Sequence, residues 1–150
     1  MFKETTWRDS EKKVQQYMKK RGYRIIHTNF SCVGVELDIV ALLPKKIQKN
    51  NLKQEYKTKM LEDKARRKVY KHSLKASLKL VSDLLIITEV KGRETDKYGL
   101  GSEAISDHKR ENIIRGARFL QKDKKYSKMQ FRFDIASVDA GKITYIEDGF

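Results

Sequence analysis

The most constraining feature of the sequence is an apolar run at residues 84–91 that ends in charged side chains. The run reads Leu-Leu-Ile-Ile-Thr-Glu-Val-Lys, and its length and β-branched character predict a buried strand. Side chains alternate between the two faces of a strand, so Glu89 and Lys91 are predicted to share one face. A buried charge is costly unless it is paired or bound to a metal. The run therefore predicts either a salt-bridged strand end or half of a charged site.

A second acid interrupts another apolar strand, predicted over residues 36–43 (ELDIVALL). Strand alternation places Glu36, Asp38 and Val40 on one face, and Leu37, Ile39 and Ala41 on the other. Strands that are consecutive in sequence often pair, in which case Asp38, Glu89 and Lys91 converge on one face of a sheet. Two carboxylates suit a hard cation such as Mg²⁺, which could polarise a phosphoryl oxygen and acidify a bound water. Lys91 could then orient that water or stabilise developing charge.

Helix and turn signals predict the order α, β, β, insertion, β, α, β, β within a single domain spanning residues 1–150. The predicted helices cover residues 7–21, ended by Gly22, and 102–122, begun by Ser102 and Glu103. The predicted strands cover residues 23–30, 36–43, 84–91, 131–138 and 142–147, with a hairpin turn at 139–141. Glu11 falls in the first turn of the first helix, where it could simply complement the helix dipole.

Residues 45–83 form a basic insertion between the second and third strands. They contain thirteen Lys and Arg residues against four acids, and they lack glycine. The composition predicts a helical insertion, whereas the alternation of apolar and polar residues over 74–80 suits an extended or fraying end. Two alternatives are open for this segment: a solvated, partly disordered arm, or an arm that lies on phosphates.

The overall charge and the single cysteine narrow the classes of partner and compartment. A net charge of +14 and a pI near 9.8 favour a polyanionic partner, nucleic acid first and an anionic membrane surface second. The lone Cys32 excludes an internal disulfide and fits a reducing, cytoplasmic compartment. No secretory signal and no membrane span are recognisable, so no membrane insertion is expected.

Taken in order, these residues resemble the PD-(D/E)XK nuclease superfamily, and more closely its YraN-like uncharacterised bacterial proteins. The resemblance is carried by two motifs, Glu36-Leu37-Asp38-Ile39-Val40 and Glu89-Val90-Lys91. Further matches are Glu11, Val14, Tyr17, Met18, Gly22, Tyr23, Asn29, Gly92-Arg93, Tyr98-Gly99, Lys109, Ala117, Phe119-Leu120, Arg132-Phe133-Asp134 and Ile146 to Phe150. The chain departs from the family at Val35 and Ser10, where glycine is common, and in its long insertion.

The resemblance implies an α/β (α+β) fold: a restriction-endonuclease-like αβββαβ core with a central mixed sheet flanked by helices. It implies that Asp38, Glu89 and the Val90 carbonyl bind the metal and that Lys91 is the catalytic lysine. Glu11 would join the same acidic site as ligand and catalytic residue, as in related Holliday junction resolvases. Glu36 and Lys109 are second-rank candidates.

The expected function is a Mg²⁺-dependent nuclease, with Mn²⁺ able to substitute, that hydrolyses phosphodiester bonds of DNA. Junction and single-stranded DNA are candidate substrates, and a homodimer is one option because related resolvases make paired cuts. The residues expected to bind nucleic acid are Arg66, Arg67, Lys68, Arg93, Lys109 and Arg110. The alternative is a non-catalytic nucleic-acid-binding protein on the same fold; a third is a structural protein bound to membrane or ribosome.

Overall fold

The computed structural model describes residues 7–93 and 105–150 of the chain. The elements in order are α1 (Trp7–Lys20), β1 (Arg24–Cys32), β2 (Val35–Leu43), α2 (Lys45–Glu62), α3 (Arg67–Leu80), β3 (Leu84–Arg93), α4 (Asp107–Gln121), β4 (Gln130–Asp139) and β5 (Lys142–Ile146). This order confirms the predicted α+β arrangement. Each helix in these two ranges is too short or too polar to cross a lipid bilayer.

The strands form one five-stranded sheet in the spatial order β1-β2-β3-β4-β5. β3 and β4 are parallel, and the other neighbours are antiparallel, so the sheet is mixed as predicted. The parallel pair requires a crossover connection, which α4 supplies. A mixed sheet with helices against it confirms the restriction-endonuclease-like core.

Each face of the sheet carries its own hydrophobic cluster. The cluster under α4 includes Leu37, Val40, Leu85, Ile87, Ile113, Ala117 and Leu120. The cluster under α1 includes Val14, Met18, Ile39, Ala41, Ile86 and Val138. α1 and α4 therefore lie on opposite faces of the sheet, because each packs its apolar stripe on a different cluster. Gly22 ends α1 with φ of +85°, the left-handed conformation that glycine adopts without steric cost.

The start of α4 differs from the prediction in the part that the structure describes. The predicted start at residues 102–103 lies outside the described residues, and Ile105 and Ser106 are not helical. The helix begins at Asp107, where the Ser106 hydroxyl caps it by accepting a hydrogen bond from the Lys109 backbone N–H at 3.2 Å. The cap fixes the first turn of α4, which carries Lys109.

The insertion is helical throughout most of its length. α2 and α3 pack against each other as a helical hairpin, so the extended end predicted for residues 74–80 is wrong. Alternation alone cannot make a strand here, because no neighbouring strand pairs with this segment, and the local helix propensity decides. Neither helix contains a buried residue.

The predicted alternation of side chains along β2 is wrong at one position. Leu37 and Val40 both belong to the cluster under α4, whereas Ile39 belongs to the cluster under α1. Strict alternation would put Leu37 and Ile39 on the same face, so the pattern breaks at Asp38. The break lies opposite Asn29 of β1, whose φ of +50° is outside the range of an extended strand.

Beyond this point the sheet divides. β2 and β3 are paired from Leu43–Leu84 up to Ile39–Thr88, and no further. β2 continues with β1 to Val35, and β3 continues with β4 to Arg93. We call the place where β2 and β3 separate, between Asp38 and Glu89, the fork. The insertion leaves the sheet at the other end of the same two strands.

Candidate functional site

The fork brings the two predicted acids together. Asp38 and Glu89 occupy the register position that follows the last β2–β3 pair. The Asp38 carboxylate is close enough to the Glu89 carboxyl to raise its pKa. The Val90 backbone N–H donates a hydrogen bond to Asp38 Oδ2 at 2.8 Å. The Asp38 carboxylate thus binds a backbone donor that the separating strands leave without a ladder partner, which fixes its position.

The Glu89 carboxyl has a strongly perturbed pKa. Its side chain is only 12% exposed, and its pKa is raised to about 7 from an ordinary 4.5. Burial is the largest cause and the nearby Asp38 carboxylate acts in the same direction, while the Lys109 ammonium opposes the shift. Two adjacent carboxylates in a partly buried place repel each other, so this part of the fork favours a proton or a cation between them.

Lys109 is the cation that the structure places there. Its Nζ lies 3.1 Å from Glu89 Oε1, and the capped first turn of α4 holds it over the fork. Strand alternation puts Lys91 on the same face of β3 as Glu89, toward α4. The second-rank prediction for Lys109 is therefore supported by direct contact with a candidate ligand. Glu36, the other second-rank residue, is exposed on β2.

Glu11 approaches from the opposite face of the sheet. It is buried in α1 and accepts a hydrogen bond from Asn29 Nδ2 at 3.0 Å. Burial raises the pKa of its carboxyl; the Asn29 hydrogen bond opposes the shift, and the Asp38 and Glu36 carboxylates reinforce it. Glu11 was predicted in the first turn of α1, where it could complement the helix dipole. In the structure the acid of the first turn is Asp9, and Glu11 lies beyond that turn.

The acids of the fork fit a hard divalent cation, with a small number of protein ligands. Within residues 7–93 and 105–150, no three His, Cys, Asp or Glu side chains lie close enough together to hold a metal. Mg²⁺ needs only one or two carboxylates, because it keeps several of its waters. The placement of Asp38 beside Glu89 favours a cation at this position, because the Asp38 carboxylate opposes ionisation of Glu89. Glu11, on α1, is close enough to interact electrostatically with Asp38.

The predicted nucleic-acid-binding residues fall into separate regions. Arg66, Arg67 and Lys68 are exposed at the turn between α2 and α3. Arg110 is half-buried in α4, with its guanidinium 5.7 Å from the centre of the Phe150 ring. The side chain of Arg93 lies outside the described residues. Among the members of this set whose side chains the structure describes, Lys109 alone is placed at the fork.

A buried polar network beside the fork was not predicted as functional. Asp134 is fully buried in β4 and accepts two hydrogen bonds from the Arg132 guanidinium, at 2.8 and 2.7 Å. It also accepts from Tyr145 Oη at 2.7 Å, so the Thr88 hydroxyl donates to Tyr145 at 3.1 Å. Burial and the Asp134 carboxylate raise the pKa of Tyr145. The network fixes β3 at Thr88, the residue before Glu89.

Asn29 is another residue near the fork that was not predicted as a site residue. Its backbone has φ of +50°, a conformation in which asparagine is enriched among non-glycine residues. Its side chain holds Glu11, and its backbone distorts β1 opposite Asp38. An asparagine within a short apolar strand was the available signal, because asparagine is depleted in strands.

Comparisons with known proteins show the family to which the chain belongs. The model of the uncharacterised protein family UPF0102 matches residues 10–138. A UPF0102 protein of Clostridium acetobutylicum is 29% identical over 146 residues, covering 93% of this chain and 88% of the relative. A UPF0102 protein of Caldanaerobacter subterraneus is 28% identical over 136 residues, covering 91% and 80%. One from Alkaliphilus metalliredigens is 29% identical over 143 residues, covering 93% and 92%. The chain therefore belongs to UPF0102, the YraN family, within the PD-(D/E)XK superfamily.

Proposed function

We propose that this protein is a metal-dependent nuclease that hydrolyses phosphodiester bonds of DNA. The observation that carries the proposal is the placement of Asp38 and Glu89 side by side at the fork, with Lys109 against them. A phosphodiester is an anion, and attack by water brings further negative charge to it. Carboxylates alone would repel such a substrate, so their presence among cations makes sense chemically if a divalent ion joins them.

Each residue of the fork has a separate task in this proposal. Asp38, Glu89 and the Val90 carbonyl would hold Mg²⁺ or Mn²⁺, which supplies a Lewis acid and a more acidic bound water. The Val90 N–H keeps Asp38 in one orientation. Lys109 favours the ionised form of Glu89, the form that can bind a cation. Lys91 stabilises negative charge that develops on the phosphoryl oxygens.

The charge of the molecule supports a nucleic-acid substrate. The net charge is +14, and the exposed turn between α2 and α3 adds a basic cluster of Arg66, Arg67 and Lys68. Each phosphate neutralised by such residues should add roughly 0.9 to the slope of log affinity against log salt. Branched and single-stranded DNA are proposed as preferred substrates, following the resemblance to junction resolvases.

The direct test is cleavage of defined DNA substrates. Purified protein is incubated with single-stranded, duplex and four-way-junction DNA in the presence of Mg²⁺, Mn²⁺ or chelator. We expect cleavage that requires the metal and that falls by at least about a hundredfold in Asp38→Asn and Glu89→Gln. Glu62→Gln, an exposed change at the end of α2, is the matched control. Equal cleavage by all variants, or none by wild type on any substrate, would refute the proposal.

A second candidate function is nucleic-acid binding without catalysis. The observation that favours it is the ion pair between Lys109 and Glu89, which already supplies a positive charge to the fork. In this case DNA binding is unaffected by chelator, and Asp38→Asn binds DNA more tightly because one negative charge is lost. Metal-dependent cleavage that disappears in the same variant would exclude this candidate.

The contribution of the insertion is tested by deletion. Leu43 and Leu84 are paired at its base, so a short turn can replace residues 46–81 without breaking the sheet. The deletion should weaken DNA binding and flatten its salt dependence, because it removes most of the excess positive charge. An unchanged salt slope would show that the insertion does not contact phosphates.

A further inference from the structure

The helical hairpin of α2 and α3 contains a groove with an apolar floor and a basic rim. Leu74 and Leu78 form the floor, and the groove has a volume of about 380 Å³. The rim consists of four lysines: Lys49, Lys71, Lys75 and Lys79. The two leucines are spaced i, i+4 on α3 and so lie one turn apart on the same side of that helix.

The pattern of burial shows that the hairpin leaves this groove uncovered. Leu74 and Leu78 are half-buried, whereas Lys71, Lys75 and Lys79 are exposed. Neither helix contains a fully buried residue, although α3 is apolar along one side. Most stability of a helix in a protein comes from packing of its apolar face, so this hairpin gains stability from anything that covers the floor.

The charge of the groove selects the class of occupant. Its lining side chains include four cations and no acid. The ion pairs within the insertion, Lys59–Glu55 and Arg66–Asp63, involve none of the lining residues. A second copy of the same groove would place lysine against lysine, which is repulsive. The occupant therefore carries negative charge.

The apolar floor favours an acidic protein segment over a phosphate backbone as the occupant of the groove. Phosphates would satisfy the lysines but would leave the floor formed by Leu74 and Leu78 without apolar contacts. Nucleic-acid bases stack chiefly on aromatic or guanidinium planes, and the floor has neither. A flat bilayer surface meets the exposed lysines before the recessed leucines. An amphipathic helix projects apolar side chains into a groove and carries acids beside them, which matches both layers.

We propose that the groove on α2 and α3 binds an acidic amphipathic helix of a partner protein. The apolar side chains of that helix contact Leu74 and Leu78, and its flanking carboxylates pair with the lysine rim. This binding surface lies on the insertion and is independent of the proposed nuclease activity at the fork.

The test uses the full chain and a synthetic helical peptide. The probe is a fluorescein-labelled peptide of about three heptads, with Leu at the a and d positions and Glu beside them. One control peptide has the same composition in scrambled order, and the other has Lys in place of Glu. We expect the amphipathic acidic peptide to bind and both controls to bind at least about tenfold more weakly. Equal binding of the scrambled peptide would reduce the effect to net charge and overturn the proposal.

Variants of the groove locate the binding. Leu74→Ala and Leu78→Ala together, or Lys75→Glu and Lys79→Glu together, should each weaken peptide binding by about tenfold or more. Leu61→Ala and Lys57→Glu are the matched controls, because these exposed residues of α2 do not line the groove. Circular dichroism shows whether the leucine variants keep the helical hairpin folded. If they do not, the lysine variants still decide the test.

Two further ligands test the choice of occupant. Duplex DNA and vesicles containing phosphatidylserine are titrated with the same set of variants. Binding of DNA or vesicles should depend on charge alone and should not change in the Leu74→Ala, Leu78→Ala double variant. If that double variant loses vesicle or DNA binding but keeps peptide binding, the groove serves that other ligand and the proposal is wrong.

Discussion

Replacing Glu89 by glutamine should make the protein more stable at neutral pH. The pKa of Glu89 is raised from 4.5 to about 7, chiefly by burial, so the folded protein holds its proton more tightly than the unfolded chain. As the pH rises from 4.5 to 7, the unfolded chain ionises first, and wild type loses stability relative to a variant that cannot ionise. A shift of this size corresponds to about 3 kcal/mol. The side chain is 12% exposed, so solvent screens little of this effect.

The assay is urea unfolding of wild type and Glu89→Gln at pH 4.5 and pH 7.5, in chelator. The free energy of unfolding of the variant, measured relative to wild type, should increase by about 3 kcal/mol between the two pH values. In thermal unfolding the same quantity corresponds to roughly 6 to 12 °C. The titrating groups away from the fork are common to both proteins, so their contributions largely cancel in this comparison.

Glu62→Gln controls for the chemical change itself, since it alters an exposed glutamate in α2. A stability difference between Glu89→Gln and wild type that is the same at both pH values would refute the reasoning. It would show that the fork does not disfavour the ionised form of Glu89. The electrostatic support for a cation at Asp38 and Glu89 would then be lost.

The remaining predictions concern the metal and three positions near the fork. Added Mg²⁺ should raise the melting temperature of wild type at pH 7.5 and leave Glu89→Gln nearly unchanged, because ligand binding to the folded state stabilises it. Asp134→Asn should cost about 3–5 kcal/mol in urea unfolding, since it leaves the partly buried Arg132 guanidinium with only the exposed Glu147 as counter-charge. Gly116→Ala should cost about 1–3 kcal/mol by the same measurement, because its Cβ would lie 2.9 Å from a methyl of the buried Leu37. Asn29→Ala should raise the pKa of Glu11 further, as measured by NMR titration, because the hydrogen bond that opposes the shift is removed.

The strands of the site could be predicted because their signals are local. The run at residues 84–91 is apolar and β-branched, and it forms the central strand β3. Ala140 and Gly141 both have positive φ and connect β4 to β5, as a two-residue hairpin turn requires. The predicted hairpin is therefore present. Pairing of strands consecutive in sequence then placed Asp38 beside Glu89. Each inference needed only a short window and one general rule of topology.

The features that could not be predicted depend on distant parts of the chain. The hydrogen bond from Arg132 to Tyr23 joins residues 109 positions apart, and no local pattern indicates it. The break of alternation at Asp38 lies opposite the positive φ of Asn29 on the neighbouring strand. Residues 74–80 look like a strand in isolation but have no partner, so they form part of α3. Tertiary contacts decide all three cases.

The pairing of Leu43 with Leu84 also affects how fast the protein folds. These neighbours in the sheet are separated in sequence by the whole insertion, so β2 and β3 can meet only after a long loop closes. Closing a loop of about forty residues costs about 2 kcal/mol more than closing one of about four. Early formation of the α2–α3 hairpin shortens the effective loop. We therefore expect the insertion to slow the pairing of β2 with β3, because that pairing depends on contacts distant in sequence.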